Sequence, residues 1–271
     1  MARPRKGPGA GAIAGTVLVA LTWCSPAAAE TAARADAPTP PPFSLECQSG
    51  GEALVAESPL PYVTAALANR KRLRILTIGA SAAAGRRTTP GGYTALIEQM
   101  LERAVKGLNV VMINRGVSGE LAANAATRIR IETAVNRPDL VIWQVGSNDA
   151  LAYVSVPHIT ATVVETIHWL RDHKVDVILV GLQRVAGLAQ NPHYIAVRDT
   201  LRAIAARENV IIVRRDEAMR LIKEAKREGG LPLPDEFEET ETGYTCLAQY
   251  VARAIALGAF GKSLRRDDKE E

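Results

Sequence analysis

Leu140-Val141-Ile142-Trp143-Gln144-Val145-Gly146-Ser147-Asn148-Asp149 decides the fold. Its first six residues are almost wholly apolar and show no alternation. That is the pattern of a strand covered on both faces, as in a parallel sheet. The run stops at a glycine, and Ser-Asn-Asp after it is turn-forming. Working outward, the same grammar recurs. Leu73 to Ile78 is an apolar run closed by Gly79, and Val110 to Ile113 is closed by Asn114. Val177 to Val180 and Val210 to Val213 follow downstream. Tyr93, Leu96, Ile97, Met100, Leu101 and Val105 recur at helical spacing between the first two runs. Further helices are expected over residues 122–135, 159–173 and 194–207. Short helical turns are expected after Asp216, and a final helix over 243–257. Strands alternating with helices imply an α/β domain, a mainly parallel sheet with helices on both faces.

Ligands of such sheets gather at the carboxyl ends of the strands, near the reversal in strand order. Three polar, glycine-bearing loops fall at those ends: Gly79-Ala80-Ser81, Asn114-Arg115-Gly116-Val117-Ser118-Gly119 and Gly146-Ser147-Asn148-Asp149. Their convergence on one edge is a stronger signal than any one of them.

The N-terminus reads as an export signal over residues 1–29. Arg3, Arg5 and Lys6 precede a short apolar run ending near Trp23, then Ser25-Pro26-Ala27-Ala28-Ala29. The run is short for a membrane span, so no stable insertion is expected after cleavage. Cys24 raises lipidation, but the bulky Trp23 before it argues against that. Residues 30–50 are a Pro- and Ala-rich linker and N-terminal segment, 51–262 the domain, and 263–271 a charged tail. The whole chain carries 33 basic and 29 acidic residues. The first 29 residues hold three of the basic ones and no acidic one, leaving 30 against 29. A near-neutral remainder gives no reason to expect nucleic-acid binding. Neither metal-ligand spacing nor a Walker or Rossmann glycine pattern occurs, so no cofactor or metal is expected. Cleavage would leave Cys47 and Cys246. In an oxidising compartment this pair is expected to form one disulfide; two separately buried thiols are the alternative.

Ile78-Gly79-Ala80-Ser81, Asn114 to Glu120 and Trp143 to Asn148, with Gly243-Tyr244-Thr245-Cys246-Leu247-Ala248, resemble the blocks of the SGNH (GDSL) hydrolase superfamily. The likeness is to a secreted bacterial branch and covers about Leu73 to Leu257. It implies a three-layer αβα, flavodoxin-like fold with a five-stranded sheet, and an ester hydrolase acting on an acyl or acetyl ester of a small molecule or carbohydrate. Ser81 would be the nucleophile. The backbone N–H of Ser81, the backbone N–H of Gly119 and the side-chain amide of Asn148 would stabilise the oxyanion, each such donor contributing about 3 kcal/mol. Ala80 departs from the first block, where the family has Asp, or Ser in this branch.

The last block departs further. The family carries Asp-x-x-His before the final helix; here Asp235 matches the aspartate and Glu238 stands at the histidine position. A carboxylate with an ordinary pKa of about 4.3 is a poor acceptor for a serine proton. Asp235 with Glu238 would form an altered base arm, and weakened activity is expected. Of the four histidines only His193, after the fourth strand, lies at the right edge to substitute. Arg86 and Arg87 flank the pocket and are candidates for holding an anionic or sugar substrate; a solvated pair is the plainer reading. Two other functions stay open: an inactive scaffold binding a glycan or protein in the cell envelope, and a flavodoxin-like anion or nucleotide binder using Ser81, Arg86, Thr88 and Thr89. The expected location is secreted or periplasmic.

Overall fold

The sheet has five parallel strands in the order β2-β1-β3-β4-β5. They are β1 (Arg72–Ile78), β2 (Asn109–Asn114), β3 (Leu140–Gln144), β4 (Asp176–Val180) and β5 (Ile211–Val213). This computed structural model describes residues 40–49, 58–79, 92–184 and 186–267, all within one unit spanning 38–271. Residues 1–39, and with them the export signal, lie outside the described residues, as do Ser81, Arg86 and Arg87. The chain steps from β1 outward to β2 and returns to place β3 on the other side of β1, so the order reverses between β1 and β3.

The continuous apolar runs are explained by layers on both faces. Leu73, Ile75, Leu140, Ile142, Ile178, Val180, Ile211 and Val213 face one core. Their neighbours Leu76, Ile78, Val141, Trp143, Val177, Leu179 and Ile212 face the other. The first layer holds α1 (Pro61–Arg70), α2 (Gly92–Ala104), α7 (Arg215–Glu228) and α8 (Glu241–Asp267). The second holds α3 (Ala122–Asn136), α5 (Val156–Asp172) and α6 (Pro192–Glu208); a short α4 (Ser147–Leu151) follows β3. Among the described residues no helix is long and apolar enough to cross a membrane.

Several elements differ from their sequence expectation. Helix α1 has no local capping signal, because its cap is remote: Asp176 Oδ2 at the start of β4 accepts the N–H groups of Tyr62 and Val63 at 2.9 and 2.8 Å. Helix α7 is a full 14 residues rather than a few turns. Ala218, Met219 and Ile222 bury one stripe, while Asp216 and Glu217 begin the helix and Lys226 and Arg227 end it, as the helix dipole favours. Helix α8 continues past Leu257 because Gly258, with no side chain, admits Leu60 and Ile211 against the helix.

Residues 40–49, within the stretch read as linker and N-terminal segment, pack on α8. The Phe43 ring packs tilted against Tyr250 at 4.6 Å, Ser44 N–H donates to Gln249 at 2.9 Å, and Cys47 is bonded to Cys246 across 199 residues. The expected disulfide is present, with both cysteines fully buried. Closing so long a loop stabilises the fold chiefly by constraining the unfolded chain, by about 2–5 kcal/mol. The double variant Cys47→Ala/Cys246→Ala is expected to melt about 5–15 °C lower. Circular dichroism melting of both proteins, with and without reductant, checks this: reductant lowers the native midpoint and leaves the variant unmoved.

Candidate active site

Strands β1 and β3 release their chains side by side at the carboxyl edge, at Gly79 and Gly146. Beside them β2 ends at Asn114, whose Oδ1 accepts the Gly116 N–H at 3.0 Å and starts the turn. The loop runs to Gly119, whose φ of +77° is a backbone conformation that L side chains resist. A side chain there would meet open space, so the constraint is the turn and not crowding.

Asn148 opens α4, and its Nδ2 donates to the main-chain oxygen of Glu120 at 2.9 Å. The amide nitrogen carries two hydrogens; this bond engages one and fixes the direction of the other. Gly119 and Asn148, 29 residues apart in sequence, are thereby brought together. A clamp behind them was not foreseen. Glu120 Oε1 pairs with Arg128 Nη1 at 2.7 Å, and Arg128 Nη2 donates to the Arg115 oxygen at 2.7 Å. Helix α3 thus grips both ends of the Gly119 loop. Asp149, next to Asn148, accepts the Ala122 N–H that begins α3 at 2.9 Å, and burial holds its carboxyl above the usual range. The only sequence sign of this clamp was a glutamate followed eight residues later by an arginine.

The final block is described at Glu238 and not at the Asp235 side chain, which lies outside the described residues. Residues Asp235–Glu239 form one short 3-10 turn pressed on the first turn of α8. Gly243 allows that approach: a Cβ there would sit 2.9 Å from Glu238 Cα and overlap the Phe237 oxygen. The Glu238 side chain points into the protein, 5 % exposed, with Oε2 3.3 Å from Nε of Arg215. The same oxygen accepts the Arg184 N–H at 3.2 Å. Burial pushes the Glu238 carboxyl up to about 7, against the opposing pull of Arg215 and the Arg184 N–H. Arg215 enters directly after β5 and its side chain is wholly buried, near Tyr93 and Tyr244. Sequence reading missed it; a pair of arginines at the junction of a buried strand and the next helix was the available hint.

Hydrogen bonds join the neighbouring loops. Ser147 Oγ accepts the Gln183 N–H at 2.9 Å, and Gln183 Nε2 donates to Glu239 at 3.1 Å. The chain ends after β3 and β4 are in this way tied to the turn that carries Glu238. His193 is in the first turn of α6 and not in a loop. Its ring stacks at 5.2 Å on Tyr153, and its buried Nε2 has no hydrogen-bond partner among the described residues. His168 pairs with Glu208 at 2.8 Å, and His173 bonds the Trp169 oxygen at 2.7 Å. Among the described residues no group of three His, Cys, Asp or Glu side chains is arranged to hold a metal ion.

This fold agrees with that of known proteins. The model of the non-GDSL lipase-like family matches residues 46–260, and the chain belongs to that family. Over 126 residues it is 28% identical to Esterase TesA of Pseudomonas aeruginosa, a match covering 46% of this chain and 61% of that esterase. Among solved structures, the acetylxylan esterase Axe2 of Geobacillus stearothermophilus superposes with a TM-score of 0.53 at 20% identity, covering 68% of this chain and 94% of that one. A lipolytic protein of the G-D-S-L family from Desulfitobacterium hafniense gives 0.52 at 17% identity, covering 67% of this chain and 99% of that one. At these identities the structural matches establish a shared α/β fold.

Removing one member of a buried ion pair leaves the other charge uncompensated, at a cost of about 3–5 kcal/mol. Glu238→Ala is therefore expected to be strongly destabilised at pH 8, and Glu238→Leu combined with Arg215→Met to recover most of the loss. Urea unfolding of the three proteins measures it; equal stability of the native protein and Glu238→Ala would refute the ion pair.

Proposed function

We propose that this chain is an ester hydrolase of the SGNH type, exported from a bacterial cell, acting on an acyl or acetyl ester of a small molecule or carbohydrate. The observation that carries the reading is the Asn148 amide held on the Glu120 oxygen beside Gly119, at the carboxyl edge where β1 ends, two residues before Ser81 in the sequence. Ser81 Oγ attacks the acyl carbon. The carbonyl oxygen becomes an oxyanion and accepts hydrogen bonds from the N–H groups of Ser81 and Gly119 and from Asn148 Nδ2. The serine proton passes to the base arm formed by Asp235 and Glu238, and from there to the departing alcohol; water then releases the acyl group.

Glu238 is a better proton acceptor here than an ordinary glutamate. A base works best with a pKa near the operating pH, and burial has raised this carboxyl to about 7. Catalytic mutants of the Geobacillus acetylxylan esterase replace a histidine or the aspartate three positions before it. Asp235 and Glu238 have that spacing in this chain. The esterase names of the relatives support the same class of substrate.

A second reading has one specific observation in its favour. The Glu238 oxygen that bonds Arg215 and Arg184 is directed inward, as in a structural strut. On that reading the protein binds a glycan or protein without turnover. Hydrolysis of p-nitrophenyl acetate by the purified protein between pH 5 and 9 separates the two. Activity is expected to rise with pH through about 7, because the reactive form is the carboxylate and its fraction grows as the proton leaves. Ser81→Ala and Glu238→Gln are expected to abolish the rise, and Asn148→Ala to lower kcat by about 10²–10³. Turnover in Ser81→Ala equal to that of the native protein overturns the hydrolase reading.

A further inference from the structure

The loop between β2 and α3, residues 115–121, carries Gly119 and is held by side chains from one face of α3. Arg128 and Glu132 lie four residues apart on that helix and so share a face. Arg128 Nη1 donates to Glu120 Oε1 and Nη2 to the Arg115 oxygen, each at 2.7 Å. Glu132 Oε2 accepts from Arg115 Nε at 2.9 Å and from Asn136 Nδ2 at 2.8 Å. One guanidinium thus spans the loop from Arg115 to Glu120, while Glu132 fixes the Arg115 side chain. Asp149 of α4 accepts the Ala122 N–H at 2.9 Å, so α4 is bonded both to Glu120 and to the first residue of α3.

The Arg128–Glu120 pair is more than a surface contact. The Glu120 side chain is 3 % exposed, against 28 % for Arg128. Its second oxygen, Oε2, is buried and accepts no hydrogen bond among the described residues. Compensation of that buried charge falls to Arg128. Glu120 is also the residue whose main-chain oxygen accepts Asn148 Nδ2. Its carboxylate and its carbonyl spring from one Cα, so tying down the first limits how far the second can swing away from Asn148. Gly119, the preceding residue, has no side chain to resist such rotation. A lysine at position 128 would supply the charge but not two donors in one rigid plane. An uncompensated carboxylate at Glu120 would also repel negative charge developing on an atom held by Gly119 and Asn148, and burial strengthens that repulsion.

We propose that Arg128 is a positioning residue for ester hydrolysis. It bonds the Glu120 carboxylate and the Arg115 oxygen at once. In doing so it fixes the carbonyl that aims the Asn148 amide and cancels the buried anion beside the oxyanion donors. The effect on turnover rests on the hydrolase reading; the hold on Asn148 does not.

Kinetics of p-nitrophenyl acetate hydrolysis and hydrogen exchange of the Asn148 side-chain amide, followed by NMR on isotope-labelled protein, test the two parts. Asn148→Ala assigns the amide signal by its disappearance. In Arg128→Ala, kcat is expected to fall about tenfold or more with KM within about threefold, because the donors act on the oxyanion and not on the bound ester. Free guanidinium chloride, well below concentrations that unfold the native protein, is expected to return part of the lost kcat; a variant that had merely lost stability would lose still more. Arg128→Lys keeps a cation and serves where Arg128→Ala does not fold; it is expected to lower kcat about threefold or more, again with little change in KM. Exchange of the Asn148 amide is expected to quicken about tenfold in Arg128→Ala and about threefold in Arg128→Lys. Arg130→Gln, an exposed position of the same helix, is expected to leave both measurements within about twofold. Unchanged kcat or unchanged amide exchange in both Arg128 variants, a loss confined to KM, or no recovery with guanidinium in Arg128→Ala protein of native melting temperature overturns the proposal. An inactive native protein whose Asn148 exchange still quickens without Arg128 would instead count against the hydrolase reading and leave the hold on Asn148 standing.

Discussion

Parallel pairing of all five strands is the constraint on which everything else depends. Parallel strands end at one edge, so the carboxyl ends of β1, β2, β3 and β4 lie there whatever their separation in sequence. The same pairing requires a helix between successive strands, and those helices cover both faces. Strand order reverses between β1 and β3, which end side by side at Gly79 and Gly146, and it is at such reversals that open parallel sheets take their ligands. Gly79 at the end of β1 and Gly146 at the end of β3 are thus neighbours by topology before any side-chain chemistry is considered.

The opposite edge has a different use for polar groups. Asp176 accepts two N–H groups of α1, and Asp139 accepts the Arg74 N–H and pairs with Arg70. These carboxylates close helix and strand ends and stabilise the layer beneath. At the carboxyl edge the comparable groups hold loops in position. Arg128 grips the Gly119 loop through Glu120, and Ser147 binds the chain after β4. Among the described residues it is the carboxyl edge that holds an oriented side-chain amide, Asn148, beside a glycine loop.

Glu238 carries both characters. Its carboxylate is anchored by Arg215 from the end of β5 and by the Arg184 N–H from the end of β4, so it joins two strand ends to the turn before α8. Burial raises its proton affinity, which suits a base; the guanidinium beside it favours the anion, which suits a strut. The disulfide lies in the same helix, three residues beyond Gly243, and ties the start of α8 to the N-terminal segment. The turn carrying Glu238 is thus pinned by covalent, ionic and steric contacts together.

The amino-acid sequence by itself determined the strands, the parallel class, the strand ends at Gly79, Asn114 and Gly146 and the cysteine pair. Each follows from local pattern: unbroken apolar runs, glycine at strand ends, an even number of thiols. It placed α5 and α6 to within three residues at either end and shortened α7 and α8. The stripe on α7 is narrow, and Gly258 reads as a stop until Leu60 and Ile211 are seen to need the space. Helix α1 was invisible because its cap, Asp176, is more than a hundred residues away. Only tertiary structure decided that Asn148 rests on the Glu120 oxygen, that Arg128 clamps that loop and that Arg215 is the partner of Glu238. The physical reason is one and the same: a buried charge or an oriented amide is defined by the group opposite it, and in these three cases that group comes from another segment of the chain.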